Sequence, residues 1–171
     1  IEAMRGLMYL NGRSIDLSLH HPDEAVRQEH QEIADLYTPL SKAWGTEMGL
    51  EATSLGIQVH GGMGYIEETG AAQHFRDARI PLIYEGTNGI QAMDLVGRKL
   101  PMRGGAVVTE HLDRMGATAH ALVESGEEDL VAVGDRLAEG VAAGREATGW
   151  LLEHGPADPN DALAGSTPYL R

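Results

Sequence analysis

Ile33, Leu36, Leu40, Trp44, Met48, Glu51 and Leu55 follow one another at steps of three and four residues. Steps of that size keep side chains on one stripe of an α-helix and scatter them over both faces of a strand. The same rhythm governs most of the chain. Ile1, Met4, Met8, Ile15 and Leu19 trace one face of an earlier helix, and Val108, Leu112, Met115, Ala119 and Leu122 one face of a later one. Leu130, Val133, Leu137, Val141, Gly144, Thr148 and Leu151 continue the pattern. No segment alternates apolar and polar residues over a useful length. The expected fold is all-α: an antiparallel helical bundle with an appended helical pair.

The breaks between stripes are specific. "HHPDE" puts Pro22 near a helix start and Asp23 and Glu24 in a first turn, where acids suit the helix dipole. Pro39 falls inside the second stripe, so either Thr38 caps a new helix or one long helix is kinked there. "HGGMGY" is a glycine cluster that ends the helix. Thr69 or Glu68 opens a short helix through "GAAQHFRDAR". The run from Ile80 to Glu85 is a tight apolar connection, and Thr87 caps a helix that reaches about Leu100. Pro101, Gly104 and Gly105 form a hinge. Residues 1–100 are therefore expected to form the bundle and residues 101–171 a helical extension. "EHGPADPNDALAGSTP" reads as a loop. The chain opens in mid-rhythm without an initiator Met and closes on "LAGSTPYLR" without a capping pattern, as expected of a piece of a longer protein whose extension is truncated.

Aromatic residues are 5% of the chain and hydrophobic ones 42%, so the core must be aliphatic. The absence of cysteine excludes disulfides and thiolate metal sites and fits a reducing, cytoplasmic setting. A formal charge of −13 argues against a general nucleic-acid or anionic-membrane surface. No apolar run approaches the ~20 residues of a membrane-spanning helix, and no signal peptide is visible.

Two stretches carry chemistry. In "QVHGGMGY", Gly61, Gly62 and Gly64 permit a sharp turn and a close approach by another group. Bare N–H groups in such a loop can cradle a phosphate; the plainer reading is a helix terminator. In "IPLIYEGTNGIQ", a lone acid, Glu85, ends an apolar run at the mouth of a helix. A carboxylate partly withdrawn from water there suits general-base work. Gly86 leaves room for a substrate beside it. The alternative is an acid that only complements the helix dipole. Thr87 caps the helix, and its hydroxyl can also meet a phosphate or flavin edge. Arg76, Asp77 and Arg79 of "FRDAR" read as a buried or half-buried ion pair that fixes the turn. The histidines, among them His20, His21, His30, His111 and His120, show no metal-binding spacing, and no metal site is expected.

The segment "QVHGGMGYIEETGAAQHFRDARIPLIYEGTNGIQAMDLVGRKL", residues 58–100, resembles the C-terminal helical domain of acyl-CoA dehydrogenases. The resemblance rests on a Q-x-x-G-G-x-G-Y turn, then R-D-A-R-I, then Y-E-G-T, in that order. Residues 1–57 resemble the long antiparallel helices before that segment. Residues 106–171 resemble the extra helical region of the longer, methylmercaptopropionyl-CoA dehydrogenase-like members. The resemblance implies an FAD-dependent oxidoreductase. Such enzymes remove the pro-R α-hydrogen of an acyl-CoA as a proton and pass a β-hydrogen as hydride to flavin N5, giving a trans-2-enoyl-CoA. Electron-transferring flavoprotein collects the electrons. Glu85 falls on the base of the family, and its backbone N–H on the donor that polarises the thioester carbonyl. Tyr84 and Gly86 fall in the acyl site. Gln58, Gly61 and Gly62 match the turn that contacts the adenosine diphosphate part of FAD held by a neighbouring subunit, and Thr87 matches a flavin contact. A homodimer or homotetramer is implied.

Departures are also visible. Gly89 stands where some members have a glutamine that meets flavin. Gly97 stands where some have a CoA-contacting arginine, with Arg98 one place later. The family's N-terminal helical and middle β-domains have no counterpart in this sequence. Two rival readings accompany the leading one: a non-enzymatic helical self-association or interaction module derived from the family, and a nucleotide-binding helical protein that uses only the glycine turn.

Overall fold

The computed structural model describes residues 2–171; Ile1, part of the first predicted stripe, lies outside the described residues. The described residues contain helices and turns and no strand, in agreement with the all-α expectation. None of the helices is long and apolar enough to cross a membrane. The chain divides into two compact units. Residues up to Leu95, together with Ser166–Arg171, form the first, and Val96–Gly165 form the second.

In the first unit, α1 (Glu2–His20) and α2 (Glu24–His60) are joined by three residues, so they run antiparallel, with Met4 against Gly45. Asp23 is the N-cap of α2 and accepts from the Ala25 N–H at 2.8 Å. The helix runs unbroken through Pro39, which is almost wholly buried. The Thr38 hydroxyl donates to the Ala34 carbonyl within the helix and caps no new one. Then come α3 (Gly62–Tyr65), a 3-10 turn (Glu67–Thr69), α4 (Ala71–Arg79), a second 3-10 turn (Ile80–Leu82) and α5 (Asn88–Asp94). All the helices from α3 to α5 pack on α2. A π-helical segment, Leu95–Lys99, follows α5 and contains Arg98.

The inward face of α1 differs from the expected one. Met8, Ile15 and Leu19 are exposed, while Met4, Leu7, Asn11, Ser14 and Leu17 are buried or half-buried. Ser14 is fully buried because its hydroxyl is satisfied within the helix by the Leu10 carbonyl at 2.9 Å. Its small side chain lets α2 come close. On α2, Leu36 is buried and Ile33, Leu40, Trp44 and Met48 are half-buried, but the stripe fades at Leu55, which is exposed.

The second unit is built on α6 (Ala106–Glu124) and α7 (Glu128–His154), an antiparallel hairpin. Its register is plain from the pairs Gly105–Leu152, Leu112–Gly144, Gly116–Val141 and Ala119–Gly134. Val141, Thr148 and Leu151 point inward as expected, but Val133 is exposed and Gly134 takes its place. A β-carbon on Gly134 would sit 2.8 Å from both the Ala119 carbonyl oxygen and Val123 Cγ2. The stretch expected to be a loop after α7 contains two short helices, α8 (Pro159–Ala164) and α9 (Ser166–Leu170). Asp158 caps α8 by accepting from the Asn160 and Asp161 N–H groups, with Pro159 in the first helical turn. Within the stretch read as a loop, Pro159 is a helix initiator. Helix α9 belongs to the first unit, where it packs on α5.

The hairpin gives a paired prediction. Gly134→Ala should destabilise the chain by about 1–3 kcal/mol, because backbone must move to admit the methyl group. Gly140→Ala, on the same helix with open space around it, should be neutral or stabilise by up to ~1 kcal/mol. Urea unfolding of the two variants checks both signs.

Candidate functional site

The glycine turn begins where α2 ends. Gly61 has φ +60° and ψ −144°, a conformation open in practice only to glycine, and its N–H closes the helix on the Gln58 carbonyl at 3.1 Å. Gly64 is buried, and a β-carbon there would lie 2.3 Å from the Ile57 carbonyl oxygen, so packing on α2 demands it. Gly62 is required by neither effect: a β-carbon would meet nothing. The three glycines thus separate into one for the turn, one for packing and one that leaves open backbone. Gln58, Gly61 and Gly62 are all exposed, beside the exposed apolar side chains Val59, Met63 and Tyr65. A cradle with bare backbone and an exposed carboxamide fits an extended polar ligand such as a nucleotide diphosphate.

After the glycine turn, Arg76 makes a two-pronged pair with Glu67 at 2.7 and 2.8 Å and also donates to Gln73. The pair is exposed, which corrects the expectation of a buried or half-buried one within "FRDAR", and the acid comes from the preceding 3-10 turn. The Arg76 guanidinium holds the Glu67 carboxyl below the usual carboxylate range. Asp77 is engaged by the Gln73 amide at 2.7 Å.

The second half of the site is the turn into α5. Glu85 has φ +49° and Gly86 φ +84°, two successive left-handed residues. For a glutamate that conformation is uncommon and strained. It swings the chain from the Ile80–Leu82 turn into α5. Thr87 is the N-cap, and its Oγ accepts from the Ile90 N–H at 3.3 Å. That use leaves the hydroxyl proton to donate outward. The Gln91 carboxamide donates to the Gly86 carbonyl at 3.4 Å. Tyr84, Glu85 and Thr87 are exposed and Gly86 half-buried. The partial withdrawal of Glu85 from water, expected from the apolar run, is not provided here. Ile80 and Ile83, more than half exposed themselves, build no wall around it.

Tyr84, Glu85, Gly86 and Thr87 are brought together, as are Gln58, Gly61 and Gly62, but the two groups are apart. Residue 88 is hydrogen-bonded to α2 at residues 42–47, and Gln58 lies nearly four helical turns further along, roughly 20 Å at 1.5 Å per residue. Among the described residues no cluster of His, Asp and Glu has the arrangement of a metal cage. Two side chains that the sequence did not single out, Asn88 and Gln91, fix the Glu85 turn. A short polar residue after an N-cap and an amide one turn further on are weak signals on their own.

Comparison with known proteins bears on both halves. Residues 18–100 match the family described as acyl-CoA dehydrogenase, C-terminal domain. The chain is 46% identical over 169 residues, 99% of its length, to 3-methylmercaptopropionyl-CoA dehydrogenase of Ruegeria pomeroyi. It is 36% identical over 116 residues, 68% of its length, to a butyryl-CoA dehydrogenase of Syntrophomonas wolfei. It is 44% identical over 61 residues, 36% of its length, to the mitochondrial short-chain specific acyl-CoA dehydrogenase of Sus scrofa. It covers 28%, 19% and 15% of those proteins respectively, so it spans about a quarter or less of the curated relatives it matches.

The sorting of the glycines is testable by stability alone. Gly64→Ala should destabilise by about 1–3 kcal/mol, since the Ile57 carbonyl blocks the new methyl group. Gly62→Ala should fall within ~0.5 kcal/mol of wild type. Thermal unfolding followed by circular dichroism measures both. An equal loss for the two variants would mean that Gly62 also serves packing.

Proposed function

We propose, from the match of residues 18–100 to the acyl-CoA dehydrogenase C-terminal domain family, that the chain belongs to that family and is the base-bearing portion of a cytoplasmic oxidoreductase that converts acyl-CoA thioesters to trans-2-enoyl-CoA. In this reading residues 1–100 are the bundle of the catalytic domain and residues 101–171 its helical extension. The observation that carries it is the Glu85 turn. A glutamate is held in a left-handed conformation that backbone energetics disfavour, and its exposed side chain stands at the mouth of α5.

Glu85 accepts the α-proton on its carboxylate. An α-proton of a thioester is a weak acid, so its removal needs a base within hydrogen-bond reach and a polarised carbonyl. The Glu85 N–H serves the second need, which places acid and base functions on one residue. Tyr84 and Gly86 border the acyl thioester. Gln58, Gly61 and Gly62 would hold the adenosine diphosphate part of FAD, and the Thr87 hydroxyl would donate to the flavin edge. When bound, FAD supplies the acceptor for the β-hydrogen and its electron pair. Electron-transferring flavoprotein is the proposed onward acceptor, and a homodimer or homotetramer the proposed assembly. The exposure of Glu85 requires that substrate, cofactor and further protein surface exclude water from it.

Substitution at Glu85 tests the reading in the full-length protein. Glu85→Gln keeps size and hydrogen bonding but cannot accept a proton. It should lower the rate of flavin bleaching by butyryl-CoA, in anaerobic single turnover, by ~10²- to 10⁴-fold. The variant should stay folded and yellow, and acyl-CoA should still perturb its flavin spectrum. Bleaching at the wild-type rate would place the base elsewhere.

The second reading, a helical self-association module, is favoured by one observation. Met8, Tyr9, Ile15 and Leu19 on α1 are uncovered, as are Val59, Met63 and Tyr65 around the glycine turn. Clustered exposed apolar side chains on one helix or turn are the kind of surface that marks an interaction site. The isolated chain should therefore sediment as a dimer or larger species at micromolar concentration. A strictly monomeric profile would count against both the module and the proposed oligomer.

A further inference from the structure

Asn88 follows the N-cap Thr87 and stands three residues after Glu85. Its carboxamide is half-buried and engaged on both sides. Oδ1 accepts from Lys42 Nζ and from Thr46 Oγ, each at 3.2 Å. Nδ2 donates to the Ala43 carbonyl at 3.3 Å and to Glu47 Oε1 at 3.5 Å. An amide offers two acceptor directions and two donors, so this one is fully used. The partners also fix which way it faces. Lys42 presents an ammonium on the oxygen side, and Ala43 and Glu47 present only acceptors on the nitrogen side. Burial pulls the Lys42 ammonium below the usual lysine range. Glu47 is itself held, by Arg171 Nε at 3.3 Å and Nη2 at 3.2 Å.

All four contacts of Asn88 fall within residues 42–47, about one and a half turns of α2. They tie the first turn of α5 to the longest element of the unit. The strained pair Glu85–Gly86 lies immediately upstream, and strained backbone persists only where its surroundings over-determine it. Thr87 and Gln91 bind that turn to α5; neither binds it to the rest of the bundle. The side-chain hydrogen bonds that join the first turn of α5 to α2 come from Asn88.

We infer that Asn88 is a positioning residue for the Glu85 carboxylate: by clamping the start of α5 to α2 it fixes where the base is presented to the acyl α-carbon. The inference rests on the proposed role of Glu85, and its consequence follows from that role. A base displaced by about 1 Å loses on the order of 10²-fold in rate without any change in its chemistry.

An isosteric substitution separates the clamp from a merely structural role. Asn88→Asp keeps the shape and the Lys42 and Thr46 contacts, and an acid in the first turn of a helix is favourable to α5. It removes both donors and sets a second carboxylate against Glu47 and the Ala43 carbonyl. A residue needed only to start α5 should tolerate it; a clamp should not. Asn88→Ala provides the neutral control.

Two measurements on the full-length protein decide the matter. Hydrogen exchange of the peptide spanning residues 84–91 should accelerate in Asn88→Asp, with peptides from α1 and α7 unchanged. Flavin bleaching by butyryl-CoA should slow by roughly 10- to 100-fold, with acyl-CoA affinity from the spectral perturbation within about threefold of wild type. The kinetic isotope effect with α-deuterated butyryl-CoA should rise, since proton abstraction becomes more fully rate-limiting. Unchanged exchange over residues 84–91 overturns the clamp. Accelerated exchange with unchanged bleaching overturns the positioning role, as does a loss confined to acyl-CoA affinity. Accelerated exchange in a protein whose wild type is not bleached by any acyl-CoA, or whose Glu85→Gln variant is fully active, leaves the clamp standing but overturns the positioning role through failure of the base assignment.

Discussion

Helix α2 is the constraint on which the first unit depends. It runs for 37 residues, about 55 Å at 1.5 Å per residue, and α1, α3, α4 and α5 all lie against it. Such a helix is held by the surfaces that cover it rather than by its own propensity. Pro39 in its interior removes one backbone hydrogen bond and would cost about 3 kcal/mol in an exposed helix. Here it is almost wholly buried, so the helix is continuous because its neighbours enclose it. Two of the four buried residues of α2, Ala34 and Ala43, are alanines. Small residues bring neighbouring backbone close enough for a side chain as short as that of Asn88 to reach the Ala43 carbonyl.

Close docking is what makes the Glu85 turn possible. A glycine at that position would carry φ +49° without strain, but it would carry no carboxylate. The residue identity therefore opposes the local backbone preference, and the surroundings compensate. The Thr87 cap, the Gln91 amide and the four contacts of Asn88 supply that compensation. Strain held by a network of this kind is characteristic of sites where presentation of a group matters more than stability. The departure of residue 85 from its preferred backbone region is thus the strongest structural support for its proposed role.

Much of the fold was legible because helical period survives in a single sequence. The cap at Thr87 and the stop at Gly61 were readable from residue type, while Asp23, read as a first-turn acid, is the N-cap itself. What period does not carry is the identity of the partner face. On α1, the more apolar stripe of Met8, Ile15 and Leu19 is exposed, and the buried one passes through Asn11 and Ser14. The Ser14 hydroxyl is satisfied within its own helix, which lowers the cost of burying it. On α7, Gly134 replaces Val133 because the backbone of α6 approaches too closely for a side chain. The helices α8 and α9 were hidden by "PADPN", in which Pro159 starts a helix that Asp158 caps. The same limit applies at the site. Y-E-G-T names the residues that meet a substrate, but the left-handed turn and its anchoring to α2 depend on residues 42–47, far away in sequence.

The separation of the two half-sites bears on assembly. Under the proposed function, the glycine turn contacts one end of FAD and Thr87 the other. In one chain these lie at different heights on α2, roughly 20 Å apart by helical rise. Helix α4 and the Ile80–Leu82 turn, which link them in sequence, both pack on α2. The glycine turn is also flanked by exposed apolar groups, Val59, Met63 and Tyr65, while no apolar wall surrounds Glu85. Open backbone set among uncovered Met, Tyr and Val side chains has the composition of an interface rather than of a closed pocket. As the family resemblance implies, each chain of the proposed oligomer would contribute its glycine turn to a cofactor bound chiefly by another copy. Oligomerisation would then complete the cofactor site as well as bury surface, and a monomer would hold each cofactor by only part of its contacts.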